Sequence, residues 1–177
     1  IVAYGGGVYV KGQAGGTSAS FTLENGTIKN NTAYFGGGVV LNNGGIFNMQ
    51  GGTIEGNHAT NDGGGVGVQG IMKMTGGTIS GNTASGKGKG VYVSSNQQRV
   101  MEMSGSAKID TDNDVYLDGM ASNNAKITVD DTLNPLGGIA ARITVPDNKY
   151  QSTTKVLDGS AVGTHYTKFA VTPDVKE

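Results

Sequence analysis

The sequence contains no cysteine and no tryptophan, and only three prolines, two histidines and four phenylalanines among 177 residues. Without cysteine there is no disulfide framework and no thiolate metal site, which suits a chain that works outside the reducing cytosol. Charge is sparse too: 15% of the residues are charged, and Lys+Arg 13 against Asp+Glu 14 leaves a net charge of -1. No long-range field exists to attract nucleic acid or an anionic membrane, and neither is expected as a partner. No run of about 18 apolar residues occurs, so membrane insertion by this segment is not expected. Ile1-Val-Ala-Tyr-Gly5 lacks the basic and apolar regions of a signal peptide, and the chain reads as cut from a longer parent.

What the sequence has in excess is glycine, 32 of 177 residues, against a typical share of roughly 7%. There is no three-residue collagen period, so the glycines serve corners at fixed places. They recur as Gly5-Gly-Gly-Val-Tyr-Val10, Gly36-Gly-Gly-Val-Val-Leu41, Gly63-Gly-Gly-Val-Gly-Val68 and Gly88-Lys-Gly-Val-Tyr-Val93, then as the worn copy Asn113-Asp-Val-Tyr-Leu117. The first valines of these steps, Val8, Val39, Val66, Val91 and Val115, lie 31, 27, 25 and 24 residues apart. That period is the length of a solenoid coil.

Within each copy the periodicity is that of strands: Val8 and Val10 share one face, and Tyr9 takes the other. A second strand follows at Phe21-Thr-Leu23, Phe47-Asn-Met49, Met72-Lys-Met74 and Met101-Glu-Met103, and a third after another glycine at Ile28, Ile54, Ile79 and Ile109. Three strands and three corners predict a triangular coil. Stacking puts Ile28, Ile54, Ile79 and Ile109 in one inward column and Leu23, Met49, Met74 and Met103 in another. Three residues after each isoleucine stands Asn31, Asn57 or Asn82, and in the fourth copy Asp112, which predicts an asparagine ladder at a corner. Ala3-Tyr4 before Gly5 mimics Ala33-Tyr-Phe35 before Gly36, so the sequence opens at the end of a preceding coil. Beyond about residue 115 the pattern loosens into strands at Lys126–Val129, Arg142–Val145, Lys155–Leu157 and Lys168–Val171. The expected organisation is all-β: a right-handed parallel β-helix of about four to five triangular coils over 1–137, continuous with C-terminal capping strands over 138–177.

These repeats resemble the right-handed parallel β-helix family with the pectate-lyase-like fold. The Gly-Gly-Gly-Val steps joined to Ile28-x-x-Asn31, Ile54-x-x-Asn57 and Ile79-x-x-Asn82 are similar to the repeats of bacterial polymorphic outer-membrane and autotransporter passenger proteins. Here isoleucine stands where that family has phenylalanine. The tail from Arg142 to Pro173 is similar to segments of spirochaete surface proteins. The resemblance covers residues 5 to about 117 and implies a bacterial cell-surface or outer-membrane, extracellular location. Its members include polysaccharide lyases and hydrolases as well as adhesins and stalks, so the fold does not choose a function.

The chemistry-bearing residues are few. Gly65-Val-Gly-Val-Gln-Gly70 fits a dinucleotide fingerprint and Gly81 to Lys87 imitates a phosphate-binding loop, but neither opens a helix, and Gly88 stands where the loop needs Ser or Thr. Both read as repeat punctuation. Asp110, Asp112, Asp114 and Asp118 have the alternate spacing of a calcium loop, and Ca2+ is the one cofactor they suggest, although the expected glycine after Asp114 is missing and a solvated corner explains them as well. Tyr9, Tyr92 and Tyr116 fall on one outward face, where they offer a sugar- or partner-stacking strip or merely cover the sheet; a Tyr92→Ser change should then cost little. His58 and His165 have no visible partner nucleophile or metal set. No paired carboxylates converge in the outward column Thr22, Asn48, Lys73, Glu102. Two readings follow: a non-catalytic cell-surface module acting as a rigid structural or adhesive segment, with flanking repeats of its parent chain and a host surface protein or glycan as partners; or a carbohydrate-binding or polysaccharide-degrading β-helix.

Overall fold

The computed structural model describes residues 4–13, 18–94, 100–118, 125–149 and 155–174. Short apolar–polar alternations between glycine corners form strands that cannot bury a face alone, so each coil pairs with the next. The first coil carries β1 (Val8–Lys11), β2 (Ser20–Leu23), β3 (Thr27–Lys29) and β4 (Thr32–Ala33). The second repeats it as β5 (Val39–Asn42), β6 (Ile46–Met49), β7 (Thr53–Glu55) and β8 (His58–Ala59). The third does so as β9 (Val66–Val68), β10 (Ile71–Met74), β11 (Thr78–Ser80) and β12 (Thr83–Ala84). Three strands make the fourth, β13 (Val91–Val93), β14 (Val100–Met103) and β15 (Lys108–Ile109). Then follow β16 (Asp114–Leu117), β17 (Ile127–Thr128), β18 (Ala141–Pro146), β19 (Leu157–Asp158), the short helix α1 (Val162–His165) and β20 (Phe169–Asp174).

All pairings are parallel, and they form sheets in the orders β1-β5-β9-β13-β16-β18-β20, β19-β17-β14-β10-β6-β2, β15-β11-β7-β3 and β12-β8-β4. The chain is an all-β parallel solenoid of about five turns with a short C-terminal helix. The first sheet places Val8 against Val39, then Val66, Val91, Val115 and Ile143 in one unbroken column. The predicted Leu23–Met49–Met74–Met103 and Ile28–Ile54–Ile79–Ile109 columns are in register. Ile54, Ile79 and Ile109 are fully buried, whereas Ile28, in the outermost coil, is partly exposed. Full burial of such a side chain contributes roughly 1.5–3 kcal/mol, so the columns are the main source of cohesion. Besides the three expected strands, each regular coil has a two-residue fourth strand that aligns Ala33, Ala59 and Ala84.

The glycine step and the asparagine ladder are one device. A Cβ on Gly38 would lie 2.7 Å from the Gly65 carbonyl oxygen, 3.0 Å from Asn57 Nδ2 and 3.1 Å from Ile54 Cγ2. The missing side chain is therefore the space in which the ladder amide and the core isoleucine sit. Asn31 Nδ2 donates to Asn57 Oδ1, and Asn57 Nδ2 donates to Asn82 Oδ1, each at 3.0 Å. The next rung corrects the sequence expectation: Asn82 Nδ2 donates to Asn113 Oδ1 at 2.9 Å, and Asp112 is not in the ladder. One extra residue in the turn after Ile109 moves Asp112 outward, where its Oδ2 accepts the Gly81 N–H at 3.2 Å. The reason is chemical: Asn113 is fully buried and donates Nδ2 to the Asn82 carbonyl, whereas an ionised aspartate has no donor for that carbonyl and would bury a charge against it.

Past Asn113 the tail keeps the parallel register, with Ile143 beside Val115 and Val171 beside Ile143. Tyr4 bridges to Phe35 at the other end, as the mimicry of Gly5 and Gly36 suggests; Ala3 lies outside the described residues. Neither nucleotide-like glycine motif opens a helix: β9 to β10 covers the first, and the second runs through β12 into the Gly88 corner.

Candidate functional site

The outward positions of the first sheet form a column Tyr9, Val40, Gly67, Tyr92, Tyr116, Thr144, Thr172. In the regular coils the stretch between the fourth strand and the next glycine step crosses over this face and covers it. Val40 is fully buried, with the Gly5 and Gly36 corners against its side chain, and Phe35 lies over Gly67, where a Cβ would come within 2.3 Å of the Phe35 ring. Phe35 meets Tyr92 edge-on at 5.7 Å, and Tyr92 stacks on Tyr116 at 5.7 Å with the rings 4° apart. Tyr9 stays 46% exposed and is separated from the other two tyrosines by Val40 and Gly67. Tyr116 is only 6% exposed, and Lys87 Nζ lies 5.6 Å from its ring centre. Tyr92 donates its hydroxyl to Asp118 Oδ2 at 2.9 Å; burial first, and then that carboxylate, push its phenol far above the ordinary tyrosine value. Tyr92 and Tyr116 thus belong to an aromatic cluster under a covering segment.

The four aspartates separate. Asp110 pairs with Lys108 at 2.7 Å, Asp112 caps the Gly81 N–H, Asp114 Oδ1 accepts the Lys89 N–H at 2.8 Å, and Asp118 receives the Tyr92 hydroxyl. Among the described residues no three His, Cys, Asp or Glu side chains come together as a metal-binding group. His58 Nδ1 lies 2.9 Å from Thr83 Oγ1, its neighbour one coil on. His165 Nε2 accepts the Leu133 N–H at 3.4 Å, and its Nδ1 is buried without a partner among the described residues. On the second sheet Lys73 pairs with Glu102 at 3.0 Å, an exposed contact of small energetic weight. Glu102, Asp130 and Asp131 line a notch of about 110 Å³. Two of these carboxylates are engaged locally: Asp130 Oδ1 accepts the Ser160 N–H and Asp131 Oδ1 that of Thr132.

Charge converges on a groove of about 710 Å³ beside the fourth and fifth coils, lined by Lys87, Lys89, Asp114, Tyr116, Arg142 and Thr172 among others. Its origin is a missing cover. Val39 follows Asn31 by eight positions, and Val66 and Val91 follow Asn57 and Asn82 by nine, but Val115 follows Asn113 by two. The chain therefore passes from the ladder directly into β16 with no two-residue strand and no crossing segment. Outward Arg142, Thr144 and Thr172 on β18 and β20 are left beside a wall made by Gly86 to Lys89. Lys89, Arg142, Thr144 and Thr172 were not singled out by the sequence reading. The signal for them is the shortened interval between Asn113 and Val115, visible only once the ladder asparagine is known to be Asn113.

No protein-family model, curated protein or solved structure shows a match to this chain.

Proposed function

We propose that the chain is a non-catalytic structural segment, a rigid shaft in an exported or cell-surface bacterial protein that stacks onto flanking coils of its parent. The observation that carries this reading is the ladder Asn31–Asn57–Asn82–Asn113, buried from Asn57 onward, which locks each coil to the next through side-chain and backbone hydrogen bonds at once. Stiffness transmitted coil by coil is what a spacer needs and what a catalytic cleft does not require. At the N-terminal end β1, β2, β3 and β4 are all edge strands of their sheets. Such an end is competent to pair with another coil of the same kind, through the backbone groups that edge strands leave open.

Single-molecule stretching between the first and last coils tests this. A shaft should resist and then lengthen in steps of one coil, roughly 80–90 Å for about 25 residues of extended chain. Smooth lengthening at low force would refute the reading. A screen against plant, bacterial and host polysaccharides distinguishes the enzymatic alternative: cleavage lost in Glu102→Gln or Asp112→Asn would replace the shaft by a carbohydrate-active enzyme.

A further inference from the structure

We propose that the groove over the fifth coil is an oxyanion-binding site, which takes the carboxylate, sulfate or phosphate of a small anionic ligand between Arg142 and Lys89. Arg142 Nε is buried and has no hydrogen-bond partner among the described residues. A guanidinium donor in that condition is one that folded proteins rarely leave unsatisfied, because desolvation is not compensated. Its register neighbour is Asp114, one strand away, yet the two form no ion pair: Asp114 Oδ1 is turned to the Lys89 N–H instead. That hydrogen bond uses the Lys89 backbone and leaves the lysine side chain to line the groove.

The lining is cationic on balance, since Lys89 and Arg142 face the groove together with Lys87 while Asp114 is its one lining carboxylate among the described residues. Lys87 Nζ lies over the Tyr116 ring, 5.6 Å from its centre, at the edge of the groove. An oxyanion that enters this space accepts from the Arg142 fork through two parallel N–H bonds and gains the Lys89 charge, in partial shelter from bulk water. Outward Thr144 and Thr172 add hydroxyls at the floor, with Thr172 Oγ1 3.4 Å from the Ile143 carbonyl oxygen. The lining is polar and cationic, which argues for an anion over an apolar peptide.

The test titrates the intact chain with sodium sulfate, sodium phosphate and D-glucuronate at constant chloride, following the amide resonances of Lys89, Asp114 and Arg142. At least one probe should saturate as a single site. Its affinity should fall about tenfold or more in Arg142→Gln and several-fold in Lys89→Gln, the loss expected for charge-assisted hydrogen bonds and a neighbouring charge. Tightest binding of glucuronate assigns the site to an acidic sugar; tightest binding of sulfate or phosphate assigns it to an inorganic or esterified oxyanion. Shifts that do not saturate, or that persist unchanged in the variants, overturn the proposal. Should Arg142→Gln fail to fold, Lys89→Gln decides alone, because that side chain has no role in the ladder or the core.

Discussion

Truncation of Asn82 to alanine gives the sharpest measure of the corner ladder. Its side chain donates to the Ile54 carbonyl at 2.9 Å, to the Ser80 carbonyl at 3.0 Å and to Asn113 Oδ1 at 2.9 Å. It accepts from the Asn57 N–H at 2.9 Å and from Asn57 Nδ2 at 3.0 Å. Not all of these losses weigh equally. Asn57 Nδ2 keeps the Ile28 and Glu55 carbonyls, and Asn113 Oδ1 keeps the Asn82 N–H. The Asn57 N–H, in a fully buried residue, keeps nothing. One orphaned donor costs about 1–3 kcal/mol, and the four other lost bonds add about 0.5–1 kcal/mol each, for a total of about 3–7 kcal/mol.

Asn31→Ala supplies the internal control, because Asn31 occupies the same motif in the outermost coil. Its side chain gives up only the Lys29 carbonyl and Asn57 Oδ1, and the latter keeps the Asn31 N–H. A loss of about 1 kcal/mol follows, since water replaces the partners at the edge. For a chain of this size each kcal/mol moves the midpoint by roughly 2–4 °C, so Asn82→Ala should melt roughly 6–28 °C below the parent and Asn31→Ala within a few degrees of it. Thermal melts followed by circular dichroism, with urea titrations alongside, measure both. Equal losses in the two variants, or an Asn82→Ala loss under about 1 kcal/mol, would refute the view that the ladder is a load shared unequally between buried and edge coils.

Gly67→Ala should destabilise by about 1–3 kcal/mol through overpacking, since the new methyl would sit 2.3 Å from the Phe35 ring; Phe35→Ala in the same chain should recover part of the loss, and a double-mutant cycle reads the coupling. Tyr92→Phe removes one hydrogen bond to Asp118 and should cost about 0.5–1.5 kcal/mol. Tyr92→Ser also removes ring contacts with Phe35 and Tyr116 and should cost about 2–4 kcal/mol, contrary to what an outward position in the periodicity suggests; denaturant midpoints separate the two. Asp158 has its carboxyl lowered to about 2, first by the Lys155 hydrogen bond and then by the Gly159 N–H, with Lys126 adding to it. Its folded value lies below the unfolded one, so its stabilising contribution is present above about pH 4 and is lost as pH falls toward 2. Acid unfolding of Asp158→Asn should show a shallower pH dependence in that window than the parent, and an identical profile would contradict it.

Much of the fold was legible because the physics of stacking repeats its demands at fixed intervals. The columns through Val39, Met49 and Ile54 each require an apolar residue once per coil, so three independent series in step with one another point to a single architecture. The fourth coil was harder. Counting three residues from Ile109 reaches Asp112, yet burial selects Asn113, and only the demand for a donor toward the Asn82 carbonyl explains the extra residue. The outward tyrosines show a different limit. Period-two alternation says which side of a strand a residue leaves by, but not whether another segment of chain lies over it. Tyr9 and Tyr116 are equivalent in the pattern and differ in exposure, 46% against 6%. Arg142 was illegible for the same reason in reverse, since its setting depends on a segment that is not there.

That absence bears on where chemistry can arise in a solenoid at all. A regular coil repeats each outward position once per turn, and its polar backbone groups are used by the coils on either side, so whatever it presents is presented as a row. A unique site needs a break in the row. Here the break is the short passage from Ile109 to Val115: the extra residue before Asn113 turns Asp112 out of the ladder, and the step from Asn113 to Val115 brings Asp114 beside Arg142 across β16 and β18 and leaves out the segment that precedes the glycine step in the other coils. Because the Asn82–Asn113 rung is intact across the break, the groove is opened without loosening the stack beneath it. A rigid floor under a cationic groove is the condition for selective anion binding, since the donors do not have to be ordered when the ligand arrives. The structural role proposed for the regular coils and the binding role proposed for the irregular one therefore draw on the same ladder, which runs unbroken through both.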